Sequence, residues 1–183
     1  AAEHTVGLLV ALARNIPQAH AALKQGRWER SAWGGVELEG KVLGVLGFGR
    51  IGQQVARRAA GLGMRVVAYD PFVSADRFRE LGVERVESER EVYAAADFLT
   101  LHLPLTDQTR KSINAKAFGR MRDGVRIVNA ARGALVDEDD LLDALKSTFS
   151  RRSRTPAHCS SWTTSSSRRI SPPRPRRRRI EPA

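Results

Sequence analysis

Gly47-Phe48-Gly49-Arg50-Ile51-Gly52 sets three glycines at the G-x-G-x-x-G spacing, and Asp70 follows Gly52 by 18 residues. Together these can hold a dinucleotide. Gly47 allows a tight turn, Gly49 lets the backbone approach a pyrophosphate, and Gly52 lets helix and strand pack closely. A helix opening at Arg50 offers free N–H groups and a positive dipole end to phosphate. Asp70 can accept hydrogen bonds from adenosine ribose hydroxyls while its charge repels a 2′-phosphate, which favours NAD over NADP. The hexapeptide alone is weak, because a plain strand–turn–helix also keeps glycines for packing. Asp70 before Pro71 is likewise ordinary turn chemistry. The context strengthens the dinucleotide reading: a buried strand before the loop, a helix after it, and an acid closing the next strand.

Arg132 is the second candidate. It follows the predicted strand Val125–Ala130, at a carboxyl end, where open α/β sheets bind ligands. A guanidinium there can clamp a carboxylate with two parallel hydrogen bonds and polarise a 2-oxo group. The plainer alternative is a surface arginine capping a turn. His102 is of the right type for acid–base work. His4, His20 and His158 have no carboxylate or cysteine partner at meaningful spacing, so none of those three is assigned that role.

These residues need elements to position them. Val6, Leu9, Val10, Ala13 and Ile16 recur at helical spacing, predicting a helix from Glu3 to about Lys24 that Pro17 kinks or divides. Gly26 and Gly34-Gly35 mark a loop carrying Trp28 and Trp33. Short apolar runs predict strands at 41–46 and 64–69, and further strand candidates recur at 83–86, 97–103 and 125–130. Helices are expected at 50–62, 75–81, 88–95 and 114–120, and a last one from an Asp137 N-cap to about Lys146. Alternating strands and helices with short turns predict a doubly wound parallel α/β sheet.

The chain of 183 residues suits one domain with a proper core. Its single cysteine, Cys159, excludes an intramolecular disulfide and offers no metal cluster. No apolar run reaches membrane-spanning length, and the start Ala1-Ala2-Glu3-His4 lacks the basic flank of a signal peptide. The expected compartment is the cytoplasm, with no membrane partner. The first residue is Ala1 rather than Met, which points to a leading segment outside the chain.

A net charge of +11 would suit nucleic acid, but residues 148–183 hold ten of the 31 Lys+Arg and one acid, Glu181. Residues 1–147 hold 21 basic and 19 acidic residues. The body is a near-neutral domain, and the basicity belongs to the tail. That tail has eight Ser, five Pro and ten Arg but no Val, Leu, Met or Lys. Such a composition cannot offset roughly 1–2 kcal/mol of backbone entropy per ordered residue, which predicts disorder over 148–183.

Residues 1–147 resemble the nucleotide-binding domain of the D-2-hydroxyacid dehydrogenase family, and within it the phosphoglycerate dehydrogenases. The likeness is carried by Ala2-Glu3-His4, Gly26-Arg27-Trp28, Glu39-Gly40-Lys41, the glycine loop and Tyr69-Asp70-Pro71. His102-Leu103-Pro104-Leu105-Thr106 and Val128-Asn129-Ala130-Ala131-Arg132-Gly133 complete it. The resemblance implies that Arg50 and Ile51 lie against the pyrophosphate and that Asp70 holds the adenosine ribose. It implies that Pro104 and Thr109 line the cofactor cleft, that Ala130 and Ala131 pass beside the nicotinamide, and that Arg132 is the catalytic arginine. His102 then only precedes the cofactor-lining proline. The implied partners are a small 2-hydroxy or 2-oxo acid and a second copy of the chain, through helix 3–24 and the Trp28/Trp33 loop.

The family reaction also uses a histidine and a glutamate, carried in Asp-Val-Phe…Glu-Pro and Thr-Pro-His-Leu-Gly motifs that this chain lacks; His158 does not match. Back-translation offers a reason. Read one base earlier, codons permitted for residues 148–154 give Asp-Val-Phe-Ala-Glu-Glu-Pro. The same shift on 159–171 permits Leu-Leu-Glu-Leu-Asp-Asn-Val-Val-Val-Thr-Pro-His-Leu. The sequence therefore predicts an NAD-dependent oxidoreductase fragment, inactive alone, whose tail is a frame error or truncation. Two alternatives stand beside it: a non-catalytic NAD-responsive protein resembling transcriptional corepressors, and a nucleic-acid tail at Arg174–Arg179.

Overall fold

The computed structural model of the protein describes residues 1–152 together with Thr163 and Thr164. Five short strands carry the fold: β1 Val42–Leu46, β2 Arg65–Tyr69, β3 Glu84–Arg85, β4 Phe98–Leu101 and β5 Arg126–Asn129. A two-residue β6, Thr163–Thr164, pairs with Val128 and Asn129. The strand order is β3-β2-β1-β4-β5-β6, with every pair parallel. The chain winds outward from β1 to β3 and then crosses back to β4 on the other side of β1. Adjacent loops therefore diverge between β1 and β4, which opens a crevice at the carboxyl ends.

Helices cover both faces: α1 Ala2–Arg14, α2 Ile16–Lys24, α3 Arg50–Ala60, α4 Ala75–Glu80, α5 Glu89–Ala95, α6 Ala115–Phe118 and α7 Glu138–Arg152. Alternate residues of each strand serve opposite cores. Leu43, Val45, Val66, Ala68, Phe98 and Val128 pack with Leu9 and Leu12 of α1, Val55 and Ala59 of α3, and Phe78 of α4. Val42, Leu46, Val67, Leu99, Leu101 and Ile127 pack with Val92 and Tyr93 of α5 and with Ile113 and Leu135. Burial on both faces is why the central strands β1 and β4 read as near-continuous apolar runs rather than alternating ones, whereas the two residues of β3, Glu84 and Arg85, are exposed.

Two expectations shift in detail. The first helix divides at Asn15, whose φ of 54° is left-handed, rather than at Pro17. Pro17 sits in the first turn of α2, where its missing N–H costs no helical bond. The last helix runs to Arg152, beyond the Lys146 end and the Thr148 boundary expected for the domain. Ser147–Arg152 contains neither Gly nor Pro to stop it. The expected N-cap holds: Asp137 Oδ1 accepts from Asp139 N at 3.2 Å and from Asp140 N at 3.3 Å. Of the tail expected to be disordered, 148–152 join α7 and Thr163–Thr164 form β6; the rest, His158 and Cys159 included, lies outside the described residues.

Candidate functional site

The strand register brings the candidate residues to one edge. Leu46 pairs with both Tyr69 and Leu101, and Leu101 pairs with Asn129. Gly47, Asp70, His102 and Ala130, each one residue further on, consequently leave the carboxyl ends of four neighbouring strands side by side.

Gly47 turns sharply out of β1 with φ +89°, and a Cβ there would lie 2.7 Å from the His102 carbonyl oxygen. Both the backbone sign and the close approach require glycine. Gly52, in the first turn of α3, sits so close that a Cβ would collide with the Gly47 carbonyl oxygen. The strand-to-helix packing expected of the third glycine is present. At Gly49 a side chain would meet nothing within 4 Å. The backbone there faces open space, as a close-lying phosphate requires. Arg50 and Ile51 are exposed at the start of α3, the end whose first N–H groups lack intrahelical acceptors.

The loop between these glycines is fastened from beneath. The Phe48 ring is fully buried and stacks on Phe78 of α4, with centroids 4.2 Å apart and planes inclined by 18°. Gln53 Nε2 donates to Phe48 O at 2.8 Å, and Arg77 Nε of α4 donates to Gln53 Oε1 at 3.0 Å. Asp70 completes the fastening. Its Oδ2 accepts the Phe48 N–H at 2.7 Å, and its Oδ1 accepts the Phe72 N–H at 2.9 Å. The second bond is the turn chemistry open to Asp before Pro71; the first ties the turn to the glycine loop. Remaining lone pairs on both oxygens can still accept from hydroxyls.

The segment after β4 is organised by Thr109. Its Oγ1 donates to Pro104 O at 2.6 Å and accepts from Thr106 N at 2.8 Å, while Thr109 N donates to Thr106 Oγ1 at 3.2 Å. His102, at the root of this segment, is pushed down by burial to a pKa of about 4, so its ring is neutral at neutral pH. Its Nε2 lies 3.0 Å from Thr100 Oγ1. No carboxylate orients the ring among the described residues, in keeping with its exclusion from acid–base work.

Beyond β5, Arg132 is exposed, its Nη1 donating to Ala131 O at 2.9 Å. No ion pair engages it among the described residues, which leaves the guanidinium available to an anion. The turn that carries it is joined to the Thr109 segment: Lys111 N donates to Ala134 O at 2.8 Å and Ile113 N to Leu135 O at 3.0 Å. Asn129, Phe48, Gln53, Phe78 and Arg77 received no role from the sequence, because their partners are distant in the chain or depend on turn geometry.

Two cavities, of about 390 and 250 Å³, lie beside α6 and α7 and beside Arg110 and Glu138. Neither is lined by the glycine loop, Asp70 or Arg132. No group of three or more His, Cys, Asp or Glu side chains could hold a metal ion among the described residues. No helix among them is long and apolar enough to cross a membrane.

Comparison with known proteins agrees with this geometry. The family of D-isomer specific 2-hydroxyacid dehydrogenases, NAD binding domain, matches residues 6–151. D-3-phosphoglycerate dehydrogenase 3, chloroplastic, of Arabidopsis thaliana is 55% identical over 147 residues, 80% of this chain and 25% of that protein. D-3-phosphoglycerate dehydrogenase of Methanocaldococcus jannaschii is 50% identical over 145 residues, 79% of this chain and 28% of that protein. Among solved structures, a pyruvate reductase of Chlamydomonas reinhardtii superposes with a TM-score of 0.76 at 41% identity, over 80% of this chain and 43% of that one. The chain thus spans about a quarter of the length of these curated relatives.

Proposed function

The chain belongs to the D-isomer specific 2-hydroxyacid dehydrogenase family, and from that premise we propose that it is the NAD-binding part of an oxidoreductase acting on 3-phosphoglycerate. The product would be 3-phosphohydroxypyruvate, the oxidation that leads into serine biosynthesis. In that reaction the C2–H bond breaks as a hydride passes to NAD, and the C2 hydroxyl loses its proton to a base. Curated relatives near 50% identity that carry the phosphoglycerate dehydrogenase name support this substrate over other 2-hydroxy acids.

The chain's own residues supply binding and orientation. Gly47, Gly49 and Gly52 shape the loop, and the α3 N-terminus with Arg50 and Ile51 receives the pyrophosphate. Asp70 accepts from the ribose hydroxyls. Pro104 and Thr109 border the cleft, Ala130 and Ala131 flank the nicotinamide, and Arg132 holds the substrate carboxylate. The observation that carries the cofactor half is the Asp70 carboxylate fixed beside the glycine loop. A 2′-phosphate brought to that point meets a fixed negative charge.

Alone, this chain should not turn over. The family histidine and glutamate match no residue here, so the hydroxyl proton has no base. Residues 148–183 read as a shifted frame in which Asp-Val-Phe and Thr-Pro-His would return. Sequencing the coding DNA around codons 140–183 tests that, with both motifs expected in the neighbouring frame. Their absence there overturns the frame reading and leaves the basic tail to be explained as a feature of its own. Assay of the chain with 3-phosphoglycerate and NAD tests the rest, and robust turnover contradicts the assignment of the missing base.

A further inference from the structure

Asn129 ends β5 as a buried amide, 5% exposed, in a core whose other buried polar side chains among the described residues are the hydroxyls of Thr5 and Thr100. Both ends of the amide are used. Oδ1 accepts the Ala131 N–H at 3.1 Å, and Nδ2 donates to the Arg132 carbonyl oxygen at 2.8 Å. One planar group thereby spans the turn from β5 to Arg132, satisfying a donor on its near side and an acceptor on its far side. Only an amide in this orientation can do both. A carboxylate of the same shape would set a second oxygen against the Arg132 carbonyl, and a smaller side chain would leave the Ala131 N–H without its partner and the Arg132 carbonyl with the Leu135 N–H alone, at 3.2 Å.

Besides the amide, the Leu135 N–H donates to the Arg132 carbonyl oxygen at 3.2 Å. Ala130 and Ala131 carry only methyl side chains, and Arg132 is exposed. Downstream, the main chain is pinned again where Lys111 N and Ile113 N donate to Ala134 O and Leu135 O. Residues 130–132 therefore run between two fixed points, with the Asn129 amide holding the span.

We propose that Asn129 is a positioning residue, holding the Ala130–Arg132 backbone in the shape that receives the nicotinamide end of the cofactor and aims Arg132. This rests on the reading that Ala130 and Ala131 flank the nicotinamide. Asn129 touches neither cofactor nor substrate; it acts through the turn. The adenosine end, held at the glycine loop and Asp70, should not depend on it.

That division gives a test that does not require turnover. NADH and ADP-ribose, which lacks the nicotinamide, are titrated against the full chain, Asn129→Ala and Asn129→Asp. Asn129→Ala should weaken NADH by about tenfold while ADP-ribose stays within about twofold, as expected for two lost hydrogen bonds acting at one end of the ligand. Asn129→Asp should bind NADH no better than Asn129→Ala, despite matching asparagine in shape. Intact NADH affinity in Asn129→Ala, or equal losses for both ligands, overturns the proposal; equal losses would mean that Asn129 serves the fold alone. Asn129→Asp restoring NADH binding also overturns it, because filling space would then suffice. If the unsubstituted chain binds neither ligand, the cofactor reading itself fails and this inference with it. Binding by that chain with no divergence in Asn129→Ala fails the positioning role only.

Discussion

Asp70 Oδ2 accepts the Phe48 N–H at 2.7 Å, joining the end of β2 to the glycine loop that leaves β1. The residue expected to read the ribose is thus also part of the scaffold that shapes the phosphate site. The Phe48 ring beneath is stacked on Phe78, so loop, turn and α4 form one braced unit.

Substituting Asp70 should consequently do two things. Asp70→Ala removes a charged acceptor from the ribose and an anchor from the loop, and NADH affinity should fall by about 1.5–3 kcal/mol. Asp70→Asn keeps the shape and loses the charge, so the preference for NADH over NADPH should narrow with a smaller loss of NADH affinity. Titration of both variants with both cofactors checks this. Unchanged NADH affinity in Asp70→Ala would contradict the ribose role.

Phe78→Ala should destabilise the chain by about 3–5 kcal/mol, because it empties a fully buried aromatic site and removes the Phe48 stack. Denaturant unfolding measures it. A loss under about 1 kcal/mol would show that the glycine loop is braced by something other than this pair.

Burial holds the His102 pKa near 4, against 6.5 for the free side chain. Between those values the unfolded chain binds the proton and the folded chain does not, so stability rises with pH. The contribution is complete above about pH 6.5 and is lost as pH falls toward 4, up to about 3 kcal/mol. His102→Asn should flatten the stability profile across that window. A profile unchanged by the substitution would contradict the neutral, buried ring.

Removing residues 153–183 takes away β6, which pairs with Val128 and Asn129, yet should leave NADH affinity nearly unchanged, since the glycine loop, Asp70 and the Arg132 turn themselves all lie within residues 47–132. A truncated chain that binds markedly less tightly would show that the tail contributes to the site, and the frame reading would lose its main consequence.

The parts legible in the sequence were those whose signals are local or periodic. The central strands β1 and β4 announced themselves because burial on both faces forces near-continuous apolar runs, while β2, β3 and β5 carry the charged residues Arg65, Glu84-Arg85 and Arg126; the glycine spacing with Asp70 located the loop. The Asp137 cap was visible in the same way. What was hidden depends on partners far along the chain. Nothing near Phe48 indicates that its ring meets Phe78 or that its N–H meets Asp70. Asn129 stood in plain view, but its use of both amide ends appears only once the turn is folded. The first helix broke at Asn15 because Asn tolerates left-handed backbone while Pro17 sits comfortably in a first turn, and composition misplaced the end of α7 because arginine and serine do not themselves stop a helix.

The central claim, a dinucleotide site that reads the ribose through Asp70, is tested most directly by titrating the unsubstituted chain with NADH and NADPH under the same conditions. NADH should bind with saturable change in its fluorescence, and NADPH should bind far more weakly. Equal affinity for the two cofactors, or no binding of NADH, would contradict it.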